Sequence, residues 1–225
     1  MKDFTIDKYK KLINALVDLG FTFLTFREWI ELRNLPPKTV ILRHDIDKKI
    51  DNALSFAEFE KNLNVRTTFY IRMNPCLFQP KKIKDIANFL HEVGYHYTDF
   101  VDSRGNPNTA INLFENNLEK FRKVVPVFTI AMDGSPLSKY DNRDIWNHYD
   151  YRDFDIIGEP YFDFLDENVN EPDGNKFYFT DTAGMWDGDK YNVRDKSIGR
   201  SSNGKVKVHT TDDLIRFLTI NRNVR

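Results

Sequence analysis

The chain has 225 residues, 40% of them hydrophobic, which is enough to bury one good core or at most two small ones. Its 33 Lys and Arg residues balance 34 Asp and Glu residues, which argues against a general nucleic-acid binder because such a protein needs a basic excess. The single cysteine, Cys76, excludes an internal disulfide and a cysteine-based zinc site. No run approaches the length of a membrane span, and the N-terminus lacks the apolar core of a signal peptide, so we expect a cytoplasmic protein.

The apolar pattern predicts helices that alternate with strands along most of the chain. Helices are predicted at Ile6–Leu19, Phe26–Arg33, Lys49–Leu63, Pro80–Val93, Asn108–Val124 and Thr210–Ile220. Strands are predicted at Thr39–Asp47, Arg66–Ile71, Tyr95–Phe100 and Val127–Met132, with further short strands at Ile156–Gly158 and Lys176–Thr180. This repeated order of strand then helix indicates an α/β fold with a parallel sheet and right-handed crossovers.

No linker, internal repeat or low-complexity segment divides the chain, so a single domain over residues 1–225 is the simplest prediction. The segment Asp133–Asp155 is polar and aromatic and has no clear period. A loop of that length in a compact domain is usually functional. We therefore expect this segment to contribute to a site.

The segment Thr39–Asp47, with the sequence TVILRHDID, begins as a β-branched run and ends in residues that can do chemistry. Alternation along a strand places Asp45 and Asp47 on one face and His44 on the other. Two carboxylates at the end of a buried strand need a cation, a shared proton or a donor network, so one can hold a metal while the other acts as a base. The alternative is that they cap the helix that follows. Their pairing after Arg43 favours a site.

Polar side chains also follow the other predicted strands, at the edge where parallel α/β folds bind their ligands. The third strand carries His96 and Asp99, and Asp133 and Ser135 follow the fourth. The later segment Thr180-Asp181-Thr182 likewise places polar side chains at the end of a predicted strand. Aspartate and histidine ligands suit a first-row divalent ion such as Zn²⁺, so the sequence predicts a divalent metal site at this edge.

Each histidine also has an ordinary structural interpretation. His91 ends a predicted helix, where a positive charge interacts favourably with the helix dipole. His44 shares its strand face with Ile46, and it is either a hydrogen-bonded core residue or one that orients Asp45 or a ligand. His96 lies between two tyrosines at a strand end, and there we favour a metal ligand.

The segment from about Arg43 to Asp213 resembles the polysaccharide deacetylases, the NodB-type carbohydrate esterases, and it is most similar to a bacterial branch with an Arg-His-Asp-x-Asp first motif. The similar stretches are RHDID at 43–47, HEVGYHY at 91–97, MDGSPLSKYDNRDIW at 132–146, YRDFDIIGEPYFD at 151–163 and FYFTDTAGMWDG at 177–188. The resemblance implies a distorted (β/α)₇ barrel over residues 36–220, with residues 1–35 as a helical cover. It also implies metal-dependent hydrolysis of N-acetyl groups on an amino-sugar polymer or its precursor, such as a bacterial cell-surface polysaccharide.

The resemblance also implies roles for individual residues. Carried over residue by residue, it makes Asp45 the general base and makes Asp47 and His96 ligands of a divalent metal, with zinc expected. Arg43 and His44 in the same motif are possible further site residues.

The chain departs from the family pattern at two places. The family's second metal-binding histidine corresponds to Phe100, so the third ligand must come from elsewhere, and Asp99, Asp133 and water are the candidates. The family's late His-Pro pair, whose histidine acts as an acid, has no counterpart before Arg225. We therefore expect a barrel that is incomplete at its C-terminus.

These departures leave two functions open. The first is an active deacetylase, and the second is an inactive relative that keeps the groove and binds carbohydrate. In either case we expect aromatic side chains near the site to stack on sugar rings: Tyr95, Tyr97, Tyr140, Trp146 and Trp186. A phosphohydrolase of the His-Asp type is disfavoured because that class carries its His-Asp pair on helices, whereas here the pair ends a β-branched run.

Overall fold

The structure is a computed structural model, and it describes residues 3–165, 177–191, 194, 200–201, 204–205 and 208–220. The chain divides into two compact units. The smaller unit consists of Met1–Thr22, Leu35–Val40 and Glu167–Arg225, and the larger unit consists of Phe23–Asn34 and Ile41–Asp166. The single domain over residues 1–225 stays a prediction.

Short strands and helices alternate through most of the described residues. The strands are β1 (Thr22–Leu24), β2 (Thr39–Ile41), β3 (Arg43–Ile46), β4 (Thr68–Arg72), β5 (Glu92–Tyr97), β6 (Ile130–Met132), β7 (Arg200–Ser201) and β8 (Gly204–Lys205). The α-helices are α1 (Ile6–Asp18), α2 (Phe26–Glu31), α3 (Ile50–Asn62), α4 (Pro80–Asn88), α5 (Asp99–Asp102), α6 (Pro107–Arg122), α7 (Pro160–Asp163) and α8 (Thr211–Ile220). Short 3₁₀ helices lie at Asn142–Asn147, Tyr151–Phe154 and Asp189–Tyr191.

The larger unit is built around a four-stranded parallel sheet with the order β3-β4-β5-β6. Helices α3, α4 and α6 lie in the connections between successive strands, as a parallel sheet requires. An isolated parallel bridge joins Thr129 to Gly158 beside β6. The predicted α/β fold with a parallel sheet is therefore confirmed, while a complete seven-stranded barrel is not seen in the described residues.

The core of the larger unit lies around the sheet. Phe69, Tyr70 and Ile71 of β4 are all fully buried, which explains why this strand reads as a continuous apolar run rather than an alternating one. Ala57 of α3 and Ile83 of α4 are also fully buried in the same unit. β4 is therefore an interior strand that is covered on both faces.

All four main predicted strands have different bounds in the structure: Arg66–Ile71 and Val127–Met132 are found at Thr68–Arg72 and Ile130–Met132, and the other two are divided or shifted. The predicted strand Thr39–Asp47 is divided at Leu42, since β2 belongs to a two-stranded sheet with β1 whereas β3 joins the parallel sheet. The predicted strand Tyr95–Phe100 is shifted to Glu92–Tyr97, because Leu90 has a φ of +70° that ends the preceding helix and α5 begins soon after Tyr97.

The predicted long loop after β6 contains two of the 3₁₀ helices. Asp141 and Asp150 cap them by accepting hydrogen bonds from the backbone N–H groups two residues on, at 3.0 and 2.9 Å. The predicted strand at 156–158 is reduced to a bridge. Of the predicted strand at 176–180, the first residue lies outside the described residues, and the other four belong to no strand.

The smaller unit contains helices α1 and α8. Lys11 of α1 forms an ion pair with Asp212 of α8 at 2.8 Å, and Lys8 pairs with the same carboxylate. The rings of Phe177 and Phe217 pack edge to face at 5.2 Å. Within the part of the chain that the structure describes, no helix has both the length and the apolar surface needed to cross a membrane.

Gly94 in β5 has no room for a side chain. A Cβ atom there would collide with the Tyr70 ring and would lie 2.8 Å from the Thr129 carbonyl oxygen. Tyr70 is fully buried, so its ring has nowhere to move. We expect Gly94→Ala to lower the free energy of unfolding by about 1–3 kcal/mol, as measured by urea denaturation. Gly134→Ala, where a Cβ atom meets nothing within 4 Å, is the matched control; equal midpoints for the two variants would contradict this packing.

Candidate metal centre

Three side chains from three strand ends meet at the carboxyl edge of the parallel sheet. Asp47 follows β3, His96 lies near the end of β5, and Asp133 follows β6. One ligand atom from each lies within 4.8 Å of the others. His96 Nε2 is 3.6 Å from Asp47 Oδ1 and 3.6 Å from Asp133 Oδ2. These three side chains could bind one metal ion together.

The imidazole of His96 is held in one orientation and one tautomer. Its Nδ1 atom is 2.9 Å from the carbonyl oxygen of Ala131, the residue opposite it on β6. A carbonyl only accepts, so Nδ1 carries a proton and Nε2 is the ring nitrogen that is left to bind a metal ion. A backbone carbonyl behind the second ring nitrogen is the usual support of a metal-binding histidine. The side chain is 3% exposed, so the ring has little freedom to turn.

Asp45 lies beside this group of three. Its Oδ2 atom is 4.0 Å from His96 Nε2 and accepts a hydrogen bond of 2.9 Å from Arg43 Nη2. The same guanidinium nitrogen donates to the Tyr161 hydroxyl at 3.3 Å. Among the described residues, the buried Asp45 Oδ1 atom has no hydrogen-bond partner. Asp45 is thus fixed through one oxygen and keeps a buried acceptor on the other, which suits a group that takes up a proton.

Asp133 is positioned by its own loop. Ser135 donates to Asp133 Oδ1 through its backbone N–H at 2.8 Å and through its hydroxyl at 2.6 Å. Asn142 holds the Asp133 carbonyl oxygen with a hydrogen bond of 2.8 Å. Because Oδ1 is occupied, Oδ2 is the atom that faces His96. Asp133 is therefore the candidate third ligand that the structure brings to the group.

The electrostatics of the group fit a divalent cation. Asp45, Asp47 and Asp133 surround one imidazole nitrogen, and carboxylates this close repel one another unless a positive charge lies between them. Burial raises the pKa of Asp47, although the charge that His96 gains on protonation opposes the rise. Burial also acts to raise the pKa of Asp133, but the charge on protonated His96 and the hydrogen bonds from Ser135 outweigh it and lower that pKa. Two carboxylates and one imidazole are a donor set that suits Zn²⁺.

The helix-cap interpretation of the two aspartates is excluded. Helix α3 begins after Lys49, and its N-cap makes no side-chain hydrogen bond. Asp45 and Asp47 instead face His96 from the end of β3. The shared strand face predicted for them from the period-two pattern is what brings them together.

His44 lies on the opposite face of β3, in the core. Its Nε2 atom is 2.7 Å from Oε1 of the fully buried Glu60, and its ring stacks on Phe69 at a centroid distance of 4.6 Å. The structure shows His44 half-buried and hydrogen-bonded, which agrees with the first of the two interpretations from the sequence, and a role of His44 in the site stays a prediction.

Asp99 and Phe100 lie away from the three-residue group. Asp99 is fully buried and accepts hydrogen bonds from the Tyr95 hydroxyl at 2.7 Å and from Asn117 Nδ2 at 2.9 Å. Phe100 is 6% exposed and packs edge to face against Tyr140. The two predicted stacking residues Tyr95 and Tyr97 are 1% and 0% exposed, so the expectation that they contact a sugar ring is wrong.

Two residues of this region were not predicted from the sequence. Arg72 ends β4 directly opposite His96, and its Nη1 atom is 3.4 Å from Asp133 Oδ2. Arg72 is a polar residue at the end of a strand, so it would have been a candidate site residue if the predicted strand Arg66–Ile71 had been one residue longer. Glu159 is fully buried and accepts from the Met132 N–H at 3.0 Å, and burial raises its pKa to about 7. The sequence gives a weaker indication of Glu159, because its position directly before Pro160 is that of an ordinary N-cap residue of a helix.

The buried carboxyl of Asp99 predicts a pH dependence of stability. Burial raises the pKa of Asp99 from 3.8 to about 7, so between those values the unfolded chain loses its proton while the folded chain keeps it. The free energy of unfolding should therefore fall as pH rises through this window, by at most about 4 kcal/mol from this group. We expect Asp99→Asn to flatten the fall between pH 5 and pH 7 in urea denaturation.

The exposed Asp153 provides the matched control for this measurement. Asp153→Asn removes an exposed carboxyl and should keep the wild-type pH slope. If Asp99→Asn and Asp153→Asn had the same slope as the wild type, Asp99 would not be protonated in the fold.

Comparison with known proteins gives one weak similarity. No protein-family model matches the chain, and no curated protein matches it. The chain is similar to the solved structure of IcaB from Ammonifex degensii, with 16% sequence identity and a TM-score of 0.47, over 63% of this chain and 71% of that chain. A similarity at this level supports no conclusion about activity, so the function rests on the site itself.

Proposed function

We propose that this protein is a metal-dependent hydrolase that removes N-acetyl groups from an amino-sugar polymer or its precursor. The observation that carries the proposal is the meeting of Asp47, His96 and Asp133 next to Asp45, with His96 Nε2 turned toward all three carboxylates. The resemblance of the strand-end motifs to those of polysaccharide deacetylases supports the choice of reaction.

In this proposal Asp47, His96 and Asp133 hold the divalent cation, and Zn²⁺ fits their donor set best. When bound, such a cation lowers the pKa of a water molecule and polarises the acetyl carbonyl group. The chain supplies the remaining parts. The carbonyl of Ala131 fixes the His96 tautomer, and Ser135 fixes the oxygen of Asp133 that faces the site.

Asp45 is the general base of the proposed reaction. Arg43 donates a hydrogen bond to its Oδ2 atom, so the carboxylate is held in one orientation next to the site. Asp45 takes a proton from the water molecule whose oxygen bonds to the acetyl carbon. The C–N bond then breaks as Asp45 returns this proton to the nitrogen, which leaves as an amine, and the acetyl group leaves as acetic acid, which loses its proton to solvent as acetate.

The proposal extends to the fold and to the partner. The four-stranded parallel sheet is taken as part of a distorted (β/α)₇ barrel of the polysaccharide deacetylase type. The partner is an acetylated amino sugar, and a bacterial cell-surface polysaccharide is the natural source of such a sugar.

The second candidate function is carbohydrate binding without turnover. It is favoured by Phe100, which occupies the place of the family's second metal-binding histidine and is buried against Tyr140. Under this hypothesis the chain keeps a sugar-binding surface and has no hydrolytic activity.

Acetate release distinguishes the two functions. The full chain is loaded with zinc, incubated with N-acetylglucosamine oligomers, and assayed for free acetate before and after chelation with EDTA. The hydrolase proposal predicts acetate that disappears on chelation. Binding of the oligomers without any acetate, in a sample shown to contain zinc, would support the binding protein instead.

A further inference from the structure

Arg72 stands at the edge of the candidate metal centre. It is the last residue of β4 and lies opposite His96 in the sheet register. Its side chain is 33% exposed, between the 49% of Asp47 and the 11% and 3% of Asp133 and His96. Arg72 therefore carries a positive charge where the group meets solvent, on the same side as the exposed Asp47 carboxylate.

The guanidinium of Arg72 is bound more loosely than its neighbours. Its Nη1 atom is 3.4 Å from Asp133 Oδ2, longer than the roughly 2.7–2.9 Å of a strong charge-assisted hydrogen bond. Arg43 donates to Asp45 at 2.9 Å, and Arg143 contacts Asp141 with two nitrogens at 3.1 and 2.7 Å. Among the described residues, Asp133 is the sole acidic side chain in ion-pair distance of Arg72.

A charge count shows what Arg72 contributes once a divalent cation is present. The carboxylates of Asp45, Asp47 and Asp133 are then opposed by the cation and by the guanidinium groups of Arg43 and Arg72. One positive charge remains, and it is the charge of the loosely bound Arg72. The buried Glu159 near Arg43 reduces it only when that carboxyl is ionised. A positive charge at a partly buried site attracts an anionic oxygen.

We propose that Arg72 binds an anionic oxygen at the metal centre. During hydrolysis this is the acetyl carbonyl oxygen, on which negative charge develops, and afterwards it is an oxygen of the product acetate. This inference rests on the proposed function for its metal and its substrate. Arg72 has a planar fork of donors, suited to a carboxylate, which a lysine would not reproduce. It would then be a catalytic residue at the end of the central strand β4, opposite His96.

Acetate binding tests this role without requiring turnover. Zinc-loaded full-length protein is titrated with sodium acetate by isothermal titration calorimetry, and the zinc content of each sample is measured. We expect Arg72→Met to weaken acetate binding by about 10- to 100-fold, as the loss of a charged hydrogen bond does, with zinc content unchanged. Arg72→Lys should restore part of the affinity. Arg33→Met is the matched control, since Arg33 is exposed in the same unit.

Each outcome separates this inference from the proposed function. Equal acetate affinity in the wild type and Arg72→Met, or acetate binding too weak to measure in the zinc-loaded wild type, overturns the role of Arg72 alone. Absence of zinc from the wild type overturns both proposals. Arg72-dependent acetate binding by a protein that releases no acetate from N-acetylglucosamine oligomers supports Arg72 and contradicts the hydrolase.

Discussion

We expect His96→Gln to lower the affinity of the protein for zinc by more than about 100-fold. The loss of a residue that only supports a metal ligand already lowers metal affinity by about 10- to 100-fold, and this substitution removes a ligand itself. His96 Nε2 faces Asp45, Asp47 and Asp133 together. Glutamine supplies no imidazole nitrogen there, and the two ligating carboxylates cannot hold the ion equally well. Zinc affinity is measured by competition with a chromophoric chelator, and acetate release should be lost in parallel.

The matched control is His148→Gln, because His148 is exposed in the same unit. It should bind zinc as the wild type does. Urea denaturation of the metal-free proteins shows whether His96→Gln still folds. A folded His96→Gln protein with wild-type zinc affinity would show that the ion binds elsewhere.

The second large effect is expected for Asp45→Asn. An asparagine can still accept the hydrogen bond from Arg43, but it cannot take up the proton of water. We therefore expect kcat for acetate release to fall by about 10²- to 10⁴-fold, while the zinc content stays at the wild-type level. The measurement is the initial rate of acetate release from zinc-loaded protein at saturating oligomer.

Asp153→Asn removes an exposed carboxyl from the same unit and should leave kcat unchanged. The combination of retained zinc and lost turnover assigns Asp45 to the proton transfer. If Asp45→Asn lost its zinc, Asp45 would be a ligand. If it kept both zinc and turnover, the base would have to be another residue.

The α/β class and the order of strands were predictable because β-branched and aromatic runs alternate with amphipathic segments. The division of 39–47 at Leu42 was not. A continuous apolar run shows that a segment is extended, but it does not show which sheet each half joins. The pairing of β2 with β1 and of β3 with β4 depends on residues far along the chain.

The candidate site was predictable as far as its position depends on the direction of the parallel strands and on the alternation of side chains along them. Period-two alternation and the rule that parallel strands place their ends together made Asp45, Asp47 and His96 candidates, and the structure places these three residues close to one another. The choice between Asp99 and Asp133 was not possible, because it depends on where β5 ends. Asp99 begins helix α5 and turns into the core, whereas Asp133 follows β6 beside Tyr97.

Burial was the least predictable property. Tyr95 and Tyr97 flank His96 in the sequence and look like candidates for stacking on a sugar. In the structure they alternate with His96 across the sheet, so their rings point into the core while the imidazole points to the site. Arg72 was missed for a related reason, since the predicted strand ended one residue before it.

A crystal structure of the protein soaked with zinc would show whether Asp47, His96 and Asp133 bind one metal ion. We expect an anomalous zinc peak about 2.0–2.2 Å from His96 Nε2 and from one carboxylate oxygen each of Asp47 and Asp133. A peak bound to other side chains, or no peak at these three residues in a crystal that has taken up zinc elsewhere, would contradict it.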